Sequence, residues 1–281
     1  MNKTKIKQAF VCGFPIAHSK SPIIHNYWLK QNNIAGSYEK IAVESENFNA
    51  FIIELQQNGF TGGNVTLPHK EAAFQQVQKL DEVAQKIGAV NTLWYENDIL
   101  YGGNTDAYGF TANLDQYCED WSKNADQKTA MVIGAGGACR AILYALLERG
   151  FSKIILANRT LKTAQKLADE FSDKILPINL EETSSHISSV DFLVNTTSLG
   201  MYEDDALPVD IKNIKSTAVV TDIVYTPLKT KLLKQAEAMN LKTIDGLGML
   251  LHQAVPGFEK WFGVRPQVNQ ELRNLVLAEL K

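Results

Sequence analysis

Residues 130–141 read AMVIGAGGACRA, and this stretch is the strongest indication of how the second half of the chain is built. Four apolar residues, typical of a buried strand, run into Gly134, Gly136 and the small Cys139, which fill the three positions of a GxGxxG/A pattern. A helical pattern follows over residues 140–149. Glycines there let the backbone approach a pyrophosphate at a helix amino terminus. The stretch therefore predicts a dinucleotide-binding α/β domain, with a plain tight strand-to-helix turn as the alternative.

The choice between NAD and NADP should show at the end of the next predicted strand, residues 154–157. NAD-binding proteins usually place an acidic residue there for the ribose hydroxyls. This chain continues instead with Asn158, Arg159, Thr160 and then Lys162. Because a guanidinium offers a planar fork that suits a phosphate, Arg159 and the missing acid favour NADP. The alternative is a solvated arginine at the start of a helix.

Working outward from this stretch, strand and helix patterns alternate along almost the whole chain. Strand patterns lie at residues 9–12, 36–43, 63–67, 130–133, 154–157, 192–195, 218–224 and 242–244. Residues 93–95 and 99–101 predict a hairpin. Two further helical patterns follow Gly246 and Pro266. This alternation predicts α/β architecture with mainly parallel sheets, and a length of 281 residues suits two domains.

Composition excludes several classes of function. A net charge of -3 with dispersed lysines gives no electrostatic attraction to nucleic acid. No apolar run reaches the roughly 18 residues that a membrane helix needs. Three cysteines, at 12, 118 and 139, are too scattered for a disulfide framework, and the five histidines form no HExxH pattern. We therefore expect a cytoplasmic protein that binds no metal, nucleic acid or membrane.

Polar clusters interrupt the predicted elements elsewhere. NVTLPHK, residues 64–70, places Lys70 at the end of a predicted buried strand, where an ammonium is costly unless it is paired. GGNTDAYGF, residues 102–110, places Asp106 where a hairpin strand passes into a helix, and a helix cap is the ordinary role of an aspartate there. HSKS at 18–21, GAVNT at 88–92 and DGLGMLLHQ at 245–253 could each be turn chemistry.

Taken together and in order, these clusters resemble the shikimate dehydrogenase family. The matching motifs are GFPIAHSKSPIIHN (13–26), NVTLPHK (64–70), GAVNTL (88–93), GNTDAYG (103–109), GAGGACRA (134–141), NRT (158–160), NTTSLGM (195–201), DIVYTPLKT (222–230) and DGLGMLLHQ (245–253). The resemblance covers nearly the whole chain. It implies the reversible, NADPH-dependent reduction of 3-dehydroshikimate to shikimate, a step of chorismate and aromatic amino-acid biosynthesis.

The resemblance also implies roles for individual residues. Lys70 and Asp106 correspond to the family's catalytic pair, with Lys70 facing the reacting oxygen. The hydroxyls that bind the substrate carboxylate correspond to Ser19, Ser21, Thr66 and Tyr225. The groups that hold the ring hydroxyls correspond to Asn64, Asn91, Asp106 and Gln253. Amides and carboxylates suit a polyol because they donate or accept in fixed directions.

Cofactor contacts are implied at four places. The positions that match the family are Gly134, Ala135, Gly136, Gly137 and Ala138, then Asn158, Arg159, Thr160, Lys162 and Thr163, then the backbone around Ile223 and Gly246. Glu82 corresponds to a position that is sometimes assigned to the cofactor. The implied domains are a substrate-binding domain, residues 1–105 with 246–281 packing back on it, and a Rossmann-like NADP-binding domain, residues 106–245.

Two other functions compete with this interpretation. A related enzyme that also accepts quinate and prefers NAD should carry an acid near residues 158–160, and this chain has none. A ligand-sensing module that kept the fold and lost catalysis would not need both Lys70 and Asp106. A monomer and a homodimer are equally compatible with the sequence.

Overall fold

The computed structural model describes residues 6–202 and 206–280. Two compact units are present: one comprises the chain up to Thr105 together with the chain from Gln253 onward, and the other comprises residues 106–252. The chain thus leaves the first unit directly before Asp106 and returns to it inside a helix.

The first unit contains a mixed sheet and its helices. Its elements before the crossover are β1 (Lys7–Gly13), α1 (Ser21–Gln31), β2 (Gly36–Ala42), α2 (Phe48–Glu54), β3 (Phe60–Val65), α3 (Lys70–Gln76), β4 (Lys79–Leu80), α4 (Glu82–Ile87), β5 (Thr92–Glu96) and β6 (Ile99–Gly103). The sheet order is β2-β1-β3-β5-β6-β4. Pairings β1–β2, β1–β3 and β4–β6 are parallel, and β3–β5 and β5–β6 are antiparallel. The predicted hairpin, now β5 and β6, is confirmed.

The second unit contains a fully parallel, doubly wound sheet and its helices. Its elements are α5 (Asp106–Tyr117), β7 (Thr129–Ile133), α6 (Gly137–Glu148), β8 (Lys153–Asn158), α7 (Leu161–Phe171), β9 (Ile175–Asn179), α8 (Thr183–His186), β10 (Phe192–Asn195), β11 (Val219–Asp222), α9 (Lys231–Ala238) and β12 (Lys242–Ile244). The order β12-β11-β10-β7-β8-β9 is parallel at every pairing. Strand β7 is buried throughout, as expected for a parallel sheet that is covered on both faces.

The C-terminal helices return to the first unit, as the sequence predicted. Helix α10 (Leu247–Phe262) begins in the second unit and ends in the first, where α11 (Gln270–Ala278) follows it. The Trp261 indole N–H donates to the backbone oxygen of Leu93 at 2.7 Å, and that of Trp28 donates to Gln267 at 3.0 Å. These bonds attach the returning segment to α1 and β5. The predicted α/β class is therefore confirmed.

Two local predictions in the first unit were wrong. Strand β3 ends at Val65 rather than at residue 67, and the Thr66 carbonyl accepts the His69 N–H at 3.0 Å. This turn separates the strand from Lys70, which is the first residue of α3 rather than the last of a strand. Glu82 begins the next helix, α4.

Candidate active site

The loop after β1 brings two hydroxyls together. Phe14 N donates to the Leu67 carbonyl at 3.1 Å, so the loop after β1 is tied to the loop after β3. The Ser19 Oγ accepts a hydrogen bond from the backbone N–H of Ser21 at 3.3 Å. Ser21 is buried and begins α1. Both serines therefore lie at the carboxyl end of β1, where parallel sheets place their ligand-binding groups.

Buried amides lie at the ends of the neighbouring strands. Asn64, near the end of β3, donates through Nδ2 to the Asn91 carbonyl at 3.1 Å and to Thr92 Oγ1 at 3.2 Å. Asn91 Oδ1 accepts from the backbone N–H of Thr105 at 2.9 Å. The structure thus brings together Asn64 and Asn91, both identified from sequence. Thr66, whose N–H donates to the Cys12 carbonyl at 2.9 Å, follows β3 and is half-buried.

Lys70 is half-buried, and its backbone is held on two sides. Its carbonyl accepts the N–H of Val90 at 2.9 Å. The preceding residue, His69, is buried against Phe48, with ring centroids 4.4 Å apart, and its Nε2 lies 2.6 Å from the Val43 carbonyl. Because a carbonyl can only accept, Nε2 carries the proton. These contacts hold the backbone at the start of α3, from which the Lys70 side chain extends. Sequence reasoning had not identified His69.

The remaining candidates for the substrate lie in other elements. Asp106 is half-buried and is the first residue of α5, where the helix dipole favours a carboxylate. Tyr225 follows β11 and is half-buried, and burial raises the pKa of its phenol, so the hydroxyl keeps its proton and can donate. Gln253 lies on α10.

The glycine loop lies at the point where the order of the second sheet reverses. Strand β7 pairs with both β8 and β10, and ligands bind beside such switch points in parallel sheets. Gly134 has φ of +97°, a left-handed conformation, and a Cβ there would lie 2.5 Å from Thr197 Cγ2. Position 134 therefore requires glycine, because any side chain there would be strained by the backbone conformation and would collide with Thr197.

The start of α6 fits a pyrophosphate. Gly136 and Gly137 are exposed, and a Cβ on either one would meet no described atom within 4 Å. None of the described side chains caps the amino terminus of α6. Free N–H groups at a helix start and an open approach over glycine backbone are the features that bind phosphate groups. The neighbouring Ala135 N–H is already used, since it donates to Asn158 Oδ1 at 3.2 Å.

The segment after β8 has the character of an anion site. Asn158 links this segment to the glycine loop, because its Nδ2 also donates to the Thr160 carbonyl at 2.9 Å. The next polar side chains are exposed, namely Arg159, Thr160, Lys162 and Thr163. The first turn of α7 contains no acidic residue. Two cations beside a helix amino terminus favour a phosphate over a bare ribose.

A buried carboxylate fixes the loops after β10 and β11. Asp222 accepts hydrogen bonds from Asn195 Nδ2 at 3.0 Å, Thr230 Oγ1 at 2.8 Å and the Val224 N–H at 3.0 Å. Burial raises the pKa of Asp222 to about 6, although these bonds oppose the rise. The chain around Ile223 is held by this network. Asn195 and Asp222 stand in motifs that carry the family resemblance, but neither residue was predicted to have a role.

The backbone around Ile223 also approaches Gly246 closely. A Cβ at Gly246 would collide with the Ile223 carbonyl oxygen, so a side chain at this position would displace the loop after β11. The backbone that the resemblance assigned to the cofactor is therefore tightly packed at Ile223 and Gly246.

The Asp222 network gives a prediction for stability. The carboxyl group has a pKa near 3.8 when unfolded and about 6 when folded, so the native state binds more protons between these values. Stability from this group is present at low pH and is lost as pH rises through 6. We expect Asp222→Asn to remove this dependence. The stability of the wild type relative to the variant should fall by about 2 kcal/mol between pH 4.5 and pH 7.

Denaturant unfolding at several pH values measures this difference. Asp210→Asn, which changes an exposed aspartate paired with Lys212, is the matched control and should give a nearly constant difference. A constant difference for Asp222→Asn as well would contradict a raised pKa.

Three structural findings bear on the remaining sequence predictions. Glu82 is exposed and forms an ion pair with Lys86 at 3.3 Å, one helical turn away. Within residues 6–202 and 206–280, no three His, Cys, Asp or Glu side chains are grouped so that they could hold a metal ion. Over the same residues, every helix is too short or too polar to cross a membrane.

Comparison with family models finds three consecutive matches. Residues 11–93 match the shikimate dehydrogenase substrate binding domain, residues 117–249 match shikimate / quinate 5-dehydrogenase, and residues 246–270 match the shikimate 5'-dehydrogenase C-terminal domain. The shikimate dehydrogenase (NADP(+)) of Brucella abortus (strain S19) is 54% identical over 277 residues, which cover 98% of this chain and 95% of that protein.

Solved structures match over similar lengths. Shikimate 5-dehydrogenase from Thermus thermophilus, in complex with NADP(H) and shikimate, has a TM-score of 0.84 and 34% identity, covering 98% of this chain and 100% of that chain. Quinate dehydrogenase from Corynebacterium glutamicum, in complex with NAD, has a TM-score of 0.89 and 28% identity, covering 97% and 99%. The similarity therefore includes relatives with different substrates and cofactors.

Proposed function

Since this chain belongs to the shikimate dehydrogenase family, we propose that it catalyses the reversible reduction of 3-dehydroshikimate to shikimate with NADPH. The observation that carries this proposal is the 54% identity over 98% of the chain to a shikimate dehydrogenase (NADP(+)). The proposed setting is cytoplasmic, in the biosynthesis of chorismate and aromatic amino acids.

The proposal assigns the two chemical tasks to two parts of the chain. Residues 1–105 with 246–281 bind the substrate, and residues 106–245 bind NADP(H). When bound, the cofactor supplies the hydride that reduces the keto carbon. The family resemblance and the open glycine backbone at the start of α6 support this division.

Lys70 acts at the oxygen of the reacting carbon. In the direction of reduction, its ammonium donates a hydrogen bond or a proton to that oxygen, which gains negative charge as the carbonyl is reduced. The hydrogen-bonded backbone around His69 and Val90 supports this role because it limits the positions that the Lys70 side chain can reach. Asp106 pairs with the lysine and accepts a hydrogen bond from a substrate hydroxyl.

The other contacts divide by the chemistry of the substrate. The hydroxyls of Ser19, Ser21, Thr66 and Tyr225 bind the carboxylate, which makes an anion site without arginine. The groups that hold the ring hydroxyls are Asn64, Asn91, Asp106 and Gln253. Hydroxyl and amide groups bind by directional hydrogen bonds, so they select a ring with a defined arrangement of oxygens.

NADP(H) is proposed to lie along the glycine loop and the start of α7. The backbone of residues 134–138 faces the pyrophosphate. The additional phosphate of NADP contacts Arg159, with Asn158, Thr160, Lys162 and Thr163 around it. The backbone near Ile223 and Gly246 completes the site, and Glu82 is retained only on the family resemblance.

Initial rates in a four-way comparison test the proposal. The purified protein is given shikimate or quinate, each with NADP or NAD, and cofactor reduction is followed. We expect activity with shikimate and NADP to exceed every other pairing by at least about tenfold. NAD lacks the phosphate that the site is proposed to bind, and quinate brings an additional hydroxyl on a saturated ring that a site built for shikimate must accommodate. Comparable rates with quinate or NAD would indicate the broader enzyme, and binding without any reaction would indicate a sensor.

A further inference from the structure

A directional row of hydrogen bonds runs through the proposed substrate-binding residues of the first unit. The Tyr38 hydroxyl donates to Asn64 Oδ1 at 2.6 Å, and Asn64 Nδ2 donates to Thr92 Oγ1 at 3.2 Å. Thr92 Oγ1 donates to Asn91 Oδ1 at 2.8 Å, and Asn91 Nδ2 donates to Thr105 Oγ1 at 3.1 Å. All five side chains are buried. Nothing in the family resemblance assigned a role to Tyr38 or Thr92.

The orientation of the Asn64 amide follows from its partners. Its Nδ2 also donates to the backbone carbonyl of Asn91, at 3.1 Å. A carbonyl can only accept, so the nitrogen must face Asn91 and the oxygen must face Tyr38. Both hydrogens of Nδ2 are then used, one on Asn91 and one on Thr92. Asn64 Oδ1 has two lone pairs, so it can accept a second hydrogen bond besides that of Tyr38, and the buried His25 ring also lies near this side chain.

Tyr38 is itself held rigidly. The Asn26 side chain donates to the Tyr38 carbonyl at 2.9 Å and accepts from its N–H at 3.2 Å. The Tyr38 ring stacks on His25, with centroids 4.0 Å apart and an interplanar angle of 18°. Burial lowers the pKa of His25 to about 3, so this stack is neutral near pH 7. Burial also raises the pKa of Tyr38 well above its usual value, and the hydroxyl stays a donor.

The register of the first sheet explains how the Tyr38 side chain reaches Asn64. In the parallel register, Tyr38 of β2 pairs with Ala9 of β1, and Ala9 pairs with Gly62 of β3. Asn64 is two residues beyond Gly62, so it points to the same face of the sheet. The two residues in register with Tyr38, Ala9 and Gly62, have little or no side chain, which leaves room for the Tyr38 hydroxyl to reach an amide two strands away.

We propose that Tyr38 is a positioning residue for the substrate ring, which acts through Asn64 by fixing its amide oxygen so that it accepts a hydrogen bond from one ring hydroxyl of the substrate. This inference rests on the proposed function. It specifies the direction of one hydrogen bond to the substrate, because a hydroxyl that bonds to Asn64 Oδ1 must be the donor. A substituent that can only accept would place two acceptors against each other at this position.

Tyr38→Phe tests the positioning role because it keeps the stacked ring and removes only the hydroxyl. We expect kcat/KM for shikimate to fall about tenfold, mainly through a higher KM, with the KM for NADP unchanged. Tyr27→Phe is the matched control: the Tyr27 hydroxyl bonds to Asn269, the N-cap residue of α11, at 3.3 Å and to Glu271 of α11 at 3.0 Å. The control should leave the KM for shikimate unaltered. Equal kinetics for Tyr38→Phe and wild type would overturn the inference.

A double-mutant cycle tests whether Tyr38 acts through Asn64. In an Asn64→Ala background the hydroxyl has no amide to orient, so Tyr38→Phe should change kcat/KM for shikimate less than twofold. A tenfold loss in both backgrounds would mean that the hydroxyl stabilises the unit in general, and the positioning role would be wrong.

A second variant covers the case in which Tyr38→Phe does not fold. Thr92→Val keeps the shape of the side chain and removes the next hydroxyl in the row, so we expect the same selective rise in the KM for shikimate. An unchanged KM would contradict the inference. A wild-type protein that shows no reaction with shikimate would overturn the proposed function itself, whereas an active wild type with unaltered Tyr38→Phe and Thr92→Val variants overturns the inference alone.

Discussion

Lys70→Ala lowers kcat with shikimate and NADP by about a thousandfold, while the KM for shikimate changes less than tenfold. A positioned acid or base contributes about 10² to 10⁴ in rate, and the charge that we propose Lys70 stabilises develops in the transition state rather than in bound substrate. Loss of an interaction made mainly in the transition state lowers kcat more than it changes KM. Steady-state rates over a range of shikimate concentrations give both constants.

Lys86→Ala is the control for this variant. Lys86 is an exposed lysine that pairs with Glu82, so its removal should leave both constants unaltered. Lys70→Arg separates the two roles proposed for the ammonium, since a guanidinium keeps the positive charge but does not release a proton near neutral pH. Recovery well above the alanine level would indicate polarisation of the oxygen, and no recovery would indicate proton transfer. A kcat for Lys70→Ala within tenfold of wild type would refute the catalytic role.

Arg159→Ala lowers kcat/KM for NADP about a hundredfold and changes kcat/KM for NAD less than threefold. A hydrogen bond to a charged group is worth about 1.5 to 3 kcal/mol, and only NADP carries the phosphate that we propose the guanidinium contacts. The selectivity for NADP should therefore nearly disappear. Rates at saturating shikimate with each cofactor in turn measure the change.

Arg140→Ala provides the matched control for cofactor choice. Arg140 lies on α6, close in sequence to the glycine loop, and pairs with Glu170 at 2.7 Å. Its removal should alter the two cofactors equally, through the loop rather than through a phosphate. An equal loss for both cofactors in Arg159→Ala would remove the argument that Arg159 selects NADP.

The second sheet was predicted well wherever strands are buried on both faces. Continuous apolar runs such as residues 130–133 and 192–194 are typical of buried parallel strands when glycine or polar residues follow them. Strand β9, Ile175–Asn179, was not predicted. It lies at the edge of the sheet and contains Pro177, which a central strand would not tolerate. The apolar sequence pattern of an edge strand is weaker, because one edge of the strand pairs with no neighbouring strand and is less buried.

The position of Lys70 shows what a short sequence motif cannot predict. The sequence singled out the residue, yet it placed Lys70 at a strand end, because Pro68 terminates a strand and precedes a helix equally well. The turn from Thr66 to His69 decides between the two, and that turn depends on contacts of His69 with Val43 and Phe48, more than 20 residues away. Contacts of that range cannot be seen in a short motif.

The hydrogen-bond partners of the candidate site residues could not be predicted from the sequence either. Asn64 and Asn91 were found because they stand in recognisable motifs. Tyr38 stands in a stretch without a motif, and its contact with Asn64 exists only because β1 lies between β2 and β3. Sheet order therefore supplies what sequence spacing could not, namely which side chains form hydrogen bonds with the amides that we propose bind the substrate.

Transfer of deuterium from NADPH is the measurement that tests the account most directly. The protein is given 3-dehydroshikimate and NADPH carrying two deuterium atoms at the reactive carbon of the nicotinamide, and the product is identified by mass and by NMR. The account predicts shikimate with one deuterium at the former carbonyl carbon for each NADPH consumed, and a rate about a thousandfold lower with Lys70→Ala. Oxidation of NADPH without labelled shikimate, or no oxidation at all, would contradict it.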